Sequence, residues 1–251
     1  MQSFDTTTGA RLSSFIGSGS NGRGVVVVGD IVYTTDAGSG NVGRFDRVTG
    51  ANLGGGFTIP GASGISTITF DGDNFWTSDY TGTNKAFLVS PAGVVLKTIT
   101  LSESLGFYDG LEYFNGMLIA NRFDGGIGGG NQYSVYDLDG NLLIKDFIDT
   151  TGHGNGTGIA FDGTNFYISD IFNGRATIWS GVDGSFLGAL TLLDTANVIE
   201  DLSFDFEARQ DTCRVNCLPG DPGSVPEPGT AGLLGLGLFG AALVRRLRPT
   251  F

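Results

Sequence analysis

A chain of 251 residues is long enough to bury a substantial core in one or two domains. Its formal charge is −12, and because residues 225–251 contribute +2, the remainder carries −14. That surface excludes nucleic acid and anionic lipid headgroups as partners of the body, and it is compatible with cations.

Glycine accounts for 43 residues, more than double the usual share of roughly 7%, spread between apolar, β-branched and aromatic runs. Many tight turns are therefore expected. Met1-Gln2-Ser3-Phe4-Asp5 opens directly on a strand and a turn, with none of the basic, apolar and cleavage regions of an export signal. The expectation is that Met1 lies downstream of the natural start, or that the chain is a fragment of a longer precursor.

Further along, the chain repeats. Turn glycines Gly9, Gly50, Gly93, Gly140 and Gly184 are separated by 41, 43, 47 and 44 residues, and each stands between two short apolar strands. A second marker lies upstream of four of them. The apolar runs 31–36, 75–79, 117–121 and 166–170 close on Asp36, Asp79, Asn121 and Asp170, and each is preceded by a turn such as Phe70-Asp71-Gly72 or Phe114-Asn115-Gly116. One unit thus reads as four strands, for example at about 65–71, 74–79, 85–90 and 94–100. Recurrence of Asp36, Asp79, Asn121 and Asp170 in every unit points to structural caps on the following turn.

Four-stranded units at this period, with no amphipathic helix in residues 1–208, predict an all-β fold, a β-propeller; a β-sandwich is the alternative. The units resemble NHL-type blades, best in Phe166-Tyr167-Ile168-Ser169-Asp170 followed by Asn173-Gly174-Arg175. The likeness is partial around Asp36 and Asp79, and poor near Asn121, where a glycine-rich stretch at 125–130 lengthens the loop. Residues 199–205 repeat the first strand of a unit, and strands within 3–7 and 10–16 close the ring from the N-terminal side. That gives about five blades, or six in a longer form.

Candidate site residues are sought where first strands begin, since those edges line the central channel. Asp109, Glu112, His153, Asn155, Glu200 and Asp201 stand there and differ from unit to unit. Oxygen donors of this kind suit a hard divalent cation such as calcium. The resemblance to gluconolactonase and regucalcin propellers implies a central calcium or zinc ion, but their motifs match no residues here one by one. His153, the only imidazole, is a conceivable general base with no second partner at readable spacing. No catalytic residue is assigned. Asp137-Leu138-Asp139-Gly140-Asn141 begins like a calcium loop, yet Ile148 stands where the distal glutamate belongs, which favours a plain turn.

Residues 209–224 read as a linker holding Cys213 and Cys217, which suit a small local disulfide in an oxidising compartment and make a poor zinc site. The segment 225–251 begins Val225-Pro226-Glu227-Pro228, continues with an apolar run at 231–244, and ends in Arg245, Arg246, Leu247 and Arg248. At roughly 1.5 Å per residue that run spans about 21 Å as a helix, short of a hydrocarbon core about 30 Å thick. The arginines follow the positive-inside rule and leave residues 1–224 outside.

This order resembles the PEP-CTERM sorting signal of bacterial surface proteins: Pro226, Glu227 and Pro228 match the tripeptide, residues 231–244 the short transmembrane helix, and Arg245, Arg246 and Arg248 the basic end. The resemblance implies export, a membrane-anchored precursor, processing by exosortase, and delivery to the cell surface or extracellular matrix. For the body, two readings remain: a non-enzymatic module binding polysaccharide or a surface protein, or a cation-dependent hydrolase or lyase with its site in the channel.

Overall fold

The computed structural model describes residues 1–15, 21–62, 64–79, 83–102, 109–122, 132–195 and 198–207. All of these lie in one compact unit, Met1–Thr212. The cysteine pair, the apolar run at 231–244, its expected helix and the glycine-rich stretch at 125–130 lie outside the described residues.

A hairpin of β1 (Gln2–Phe4) and β2 (Arg11–Ser14) opens the chain, and four antiparallel four-stranded sheets follow. Blade one holds β3 (Gly22–Val28), β4 (Ile31–Asp36), β5 (Asn41–Asp46) and β6 (Phe57–Thr58). Blade two holds β7 (Ile65–Phe70), β8 (Phe75–Asp79), β9 (Lys85–Val89) and β10 (Val95–Thr100), within a residue of the strands predicted there. Blade three holds β11 (Leu111–Phe114), β12 (Met117–Arg122), β13 (Gln132–Tyr136) and β14 (Leu142–Asp149). Blade four holds β15 (Gly156–Phe161), β16 (Asn165–Asp170), β17 (Arg175–Ser180) and β18 (Phe186–Thr191). In every blade the strands pair in chain order, so the first is innermost and the fourth outermost. Burial follows: β8 and β15 are buried throughout, whereas β18 alternates between exposed and half-buried positions.

Blades pack face to face through three apolar clusters. Val26 and Val42 meet Ile65, Ile68 and Phe75 between blades one and two; Trp76 and Ile99 meet Leu111, Leu118 and Tyr136 between two and three; Phe114 and Tyr133 meet Ile159, Phe161 and Phe166 between three and four. Fully burying a side chain of this size stabilises by about 1.5–3 kcal/mol relative to exposure. These contacts make the stack of sheets one propeller.

Each turn glycine has a second task. Gly9, Gly50, Gly93, Gly140 and Gly184 have φ between +69° and +88°, and in three of these turns an aspartate accepts the following N–H groups, as Asp46 does from Val48 and Thr49. Each also presses on the outer strand of the unit before it. A Cβ on Gly93 would fall 2.7 Å from Phe57, on Gly140 2.4 Å from the Thr100 oxygen, and on Gly184 1.8 Å from the Phe147 oxygen. On Gly9 it would meet the Thr191 oxygen of β18, and on Gly50 it would meet Phe15, just past β2. The hairpin therefore stands between blades four and one, as a fifth unit of the ring.

The inner place of that fifth position belongs to residues 199–205. They were expected to form a first strand, and the structure corrects this: they make only an extended strap, with one backbone bridge, Val27 to Asp205. Side chains replace the ladder. Asp201 Oδ2 accepts the Val25 N–H at 3.0 Å, Ser203 Oγ that of Val27 at 3.0 Å, and Asp205 Oδ1 that of Gly29 at 3.2 Å. On the other side the Gly158 N–H donates to the Glu200 carbonyl at 2.9 Å. Four blades are thus complete, and the fifth position is a composite of hairpin and strap.

Candidate functional site

Five extended segments, β3, β7, β11, β15 and the strap, surround the channel closely. Gly24, Gly110 and Gly158 allow this, since a Cβ on each would come within 2.9 Å of the Thr67 backbone, 2.2 Å of the Thr157 oxygen and 2.3 Å of the Asp201 Cα. The residues preceding Gly24 and Gly110 point their side chains at one mouth. Arg23 Nη1 lies 3.3 Å from Asp109 Oδ2 and 3.1 Å from Glu200 Oε2, all three largely buried. One guanidinium thereby links blade one, blade three and the strap.

Asp201 sits deeper, its Oδ1 accepting the Leu202 N–H at 2.9 Å and its Oδ2 that of Val25. Glu112 Oε2 accepts the Thr69 hydroxyl at 2.9 Å, and the same Thr69 oxygen accepts the Tyr113 N–H. The Tyr133 hydroxyl donates to the Thr157 carbonyl at 2.7 Å. Asn121 caps this end by accepting the Asp109 and Gly110 N–H groups. Among the described residues the buried Asp109 Oδ1 has no hydrogen-bond partner.

Burial pushes the Asp109 carboxyl up, opposed by Arg23. Burial also raises Glu200, again opposed by Arg23 and helped by Asp109. Asp201 is raised well above the usual range by burial and by Glu112, against the N–H groups it accepts. Desolvation, with Asp201 and Asp109 nearby, holds the Tyr133 phenol well up.

A carboxyl raised in the folded state keeps a proton that the unfolded chain has released, so stability falls as pH rises from the unfolded pKa through the folded one. Asp5, Asp46, Asp137 and Asp183 are lowered, chiefly by turn hydrogen bonds, and act oppositely: their contribution is lost as pH falls below the model-peptide value of 3.8. Thermal melts are expected to peak in mildly acidic buffer, declining toward neutrality and again below about pH 3.5. Asp201→Asn should flatten the neutral side of that profile; an optimum above pH 7 contradicts the assignment.

Of the six candidates, Asp109 and Glu200 are brought together through Arg23, with Asp201 and Glu112 below them. His153 and Asn155 are not part of this group. The His153 ring stacks on Phe186 at 3.9 Å and meets Trp179 edge-on, over the outer half of blade four. The Asn155 N–H bonds Asp170 Oδ1. Arg23 was missed, although the signal exists: Arg23 and Asp109, each followed by glycine, stand thirteen and twelve residues before the capping Asp36 and Asn121.

The capping residues serve their own blades. Asp170 shows why the Asp with Asn-x-Arg pattern recurs, as its oxygens accept from Asn173 Nδ2 and Arg175 Nε, both at 2.8 Å. In the calcium-like stretch, Asp137 accepts the Asp139 and Asn141 N–H groups and Asp139 pairs with Lys97, so the segment is a turn.

Residues 224–246 match the PEP-CTERM protein-sorting motif. No curated protein sequence is significantly similar to the chain. Among solved structures, the glutaminyl cyclase of Myxococcus xanthus aligns with a TM-score of 0.51 at 14% identity, over 68% of this chain and 70% of that one. A nidogen/laminin complex aligns with a TM-score of 0.49 at 14% identity over 72% and 84%. The computationally designed Ika4 protein gives 0.41 at 20% over 66% and 95%. The likeness to the cyclase supports the fold alone. The sorting motif marks an exported protein recognised by exosortase through its C-terminal signal. Among the described residues no helix is long and apolar enough to cross a membrane.

Proposed function

We propose that the propeller is a non-enzymatic binding module, exported, processed by exosortase at its C-terminus, and held at the cell surface or in the extracellular matrix, where it binds protein or polysaccharide. The observation that carries this reading is Arg23. The place where a channel cation was expected is bridged by a guanidinium that engages both Asp109 and Glu200. The oxygens of Asp201 are taken by backbone N–H groups, and Glu112 serves Thr69. Among the described residues no three His, Cys, Asp or Glu side chains converge on one point. The donor set therefore fits ring closure better than a divalent ion, and His153 is engaged in an aromatic stack.

Calcium supplies the test. A ligand at about a thousand times its dissociation constant stabilises by about 4 kcal/mol, which for a body of this size is about 8–16 °C in melting temperature. Melts in millimolar calcium and in chelator are expected to coincide within about 1 °C, well below that linkage. A calcium-induced rise that disappears in Asp109→Asn would overturn this reading in favour of a cation-dependent hydrolase or lyase.

A further inference from the structure

Every unit of the ring carries a leucine at one fixed place on its outer side. It stands three residues after the turn glycine, in Gly9-Ala10-Arg11-Leu12, Gly50-Ala51-Asn52-Leu53, Gly93-Val94-Val95-Leu96, Gly140-Asn141-Leu142-Leu143 and Gly184-Ser185-Phe186-Leu187. In the hairpin and in blades two, three and four that leucine is the extra residue of a β-bulge. Arg11 and Ser13 pair with Phe4 and Ser3, Val95 and Lys97 with Val89 and Leu88, Leu142 and Ile144 with Tyr136 and Val135, and Phe186 and Gly188 with Trp179 and Ile178, which leaves each intervening leucine outside the ladder. In blade one Leu53 follows the Phe45–Asn52 bridge, before the ladder resumes at Val42 and Phe57. All five leucines are 48–68% exposed. A lone exposed leucine is ordinary on a protein surface, but the same leucine at the same bulge in unit after unit is a pattern, and a bulge re-aims the side chain it carries.

We propose that this ring of leucines is a contact surface between copies of the chain, which meet rim to rim. Charge selects a second copy as the partner. The turns at one end of the ring hold Asp5, Asp46, Asp71, Asp137, Asp162 and Asp183, so two copies approaching through that end repel. The outer strands β2, β6, β10, β14 and β18 carry Arg11, Lys97 and Lys145 against Asp146 and Asp149, which leaves the rim close to neutral. For a strongly acidic body the rim is therefore the side on which a like molecule is tolerated. This rests on the reading of an exported binding module held at the cell surface and names its partner: a C-terminal sorting motif shared by every copy gathers them in one layer and raises their local concentration.

The bulge also decides how the copies touch. It interrupts the ladder at the edge, so a neighbour does not continue the sheet as a further strand and is met by side chains instead. In blades three and four the leucine has an exposed apolar neighbour, Ile144 and Phe186. One leucine against another buries far less than the roughly 1,000 Å² of a lasting interface, so each contact is weak, and copies are held where several rims meet at high density. Contact places all around one ring join molecules into an open network, not a closed pair.

The test uses the full chain in lipid nanodiscs, one chain to a disc, so that the apolar run 231–244 drives no association. Sedimentation is followed over a range of concentrations for the wild type and for a variant with Leu12→Thr, Leu53→Thr, Leu96→Thr, Leu143→Thr and Leu187→Thr, threonine being well suited to a strand. The wild type is expected to self-associate about tenfold more tightly than the variant. Added salt, which screens the acidic ends, should strengthen the association. A second measurement reads the place of contact. The photoreactive Leu96→benzoylphenylalanine is expected to give covalent dimers, and Val182→benzoylphenylalanine, at a position 84% exposed in the turn beside Asp183, to give none. Should the five changes together unfold the chain, the cross-linking decides by itself. Equal association of wild type and variant overturns the proposal, and so does equal cross-linking from position 182. Cross-linking of position 96 to residues 208–251 of its own chain overturns it too, because the tail then covers the rim. Calcium melts test the binding-module reading through the channel and these measurements test the rim, so either can fail alone.

Discussion

Gly184→Ala is expected to destabilise the propeller by about 3–5 kcal/mol, lowering its melting temperature by about 10 °C. Two costs combine. The backbone there has φ +69°, where an L side chain loses about 1–2 kcal/mol. The added Cβ would also fall 1.8 Å from the Phe147 carbonyl oxygen and 2.8 Å from its carbon, so the outer strand of blade three must move. Gly116 separates the two costs. Its φ is +77°, but nothing lies within 4 Å of its Cβ position, so Gly116→Ala should lose only about 1–2 kcal/mol. Equal losses at the two sites in urea unfolding would show that the turn glycines are needed for conformation alone and do not seat one blade on the next.

Removing the strap's acceptors should cost nearly as much. In a chain carrying Asp201→Ala, Ser203→Ala and Asp205→Ala, the N–H groups of Val25, Val27 and Gly29 lose their partners. A buried donor left unsatisfied costs about 1–3 kcal/mol; these three are half-buried, and about 4 kcal/mol is expected for them together, because removing the desolvated Asp201 carboxyl offsets part of the loss. Amide exchange at Val25 and Val27 should accelerate while that at β12, in the third blade, stays slow. Ser203→Ala alone leaves every charge in place and should cost about 1–2 kcal/mol. Unchanged exchange at Val25 and Val27 in the triple variant would mean that the strap is not what closes the ring.

Much of the architecture was legible because short-range chemistry repeats. An apolar strand, a turn with Asp or Ser, a glycine at positive φ and another strand are local preferences, and their period near 44 residues exposed the units. The tail was legible for the same reason, as a tripeptide, an apolar run and a basic end are contiguous. The channel was half legible. The structure places Asp109, Glu200, Asp201 and Glu112 at one end of the channel, but Arg23 lies 86 residues from Asp109 and 177 from Glu200, and no local pattern joins them. The His153 ring lies against Phe186 instead, a choice made by packing in blade four.

From the sequence alone came the period, the strand and turn positions, the acidic body and the sorting signal, because each depends on neighbours along the chain. Tertiary structure alone decided three things. It made residues 199–205 a strap, since Asp201, Ser203 and Asp205 meet the donors of β3 only when the ring brings them 176 residues back along the chain. It placed Arg23 between two carboxyls, since the ring brings residues 86 and 177 positions away along the chain within reach of one guanidinium. And it gave the turn glycines their second reason, because the atoms that a methyl group would strike belong to the preceding unit of the ring, which no local pattern of residues can reveal.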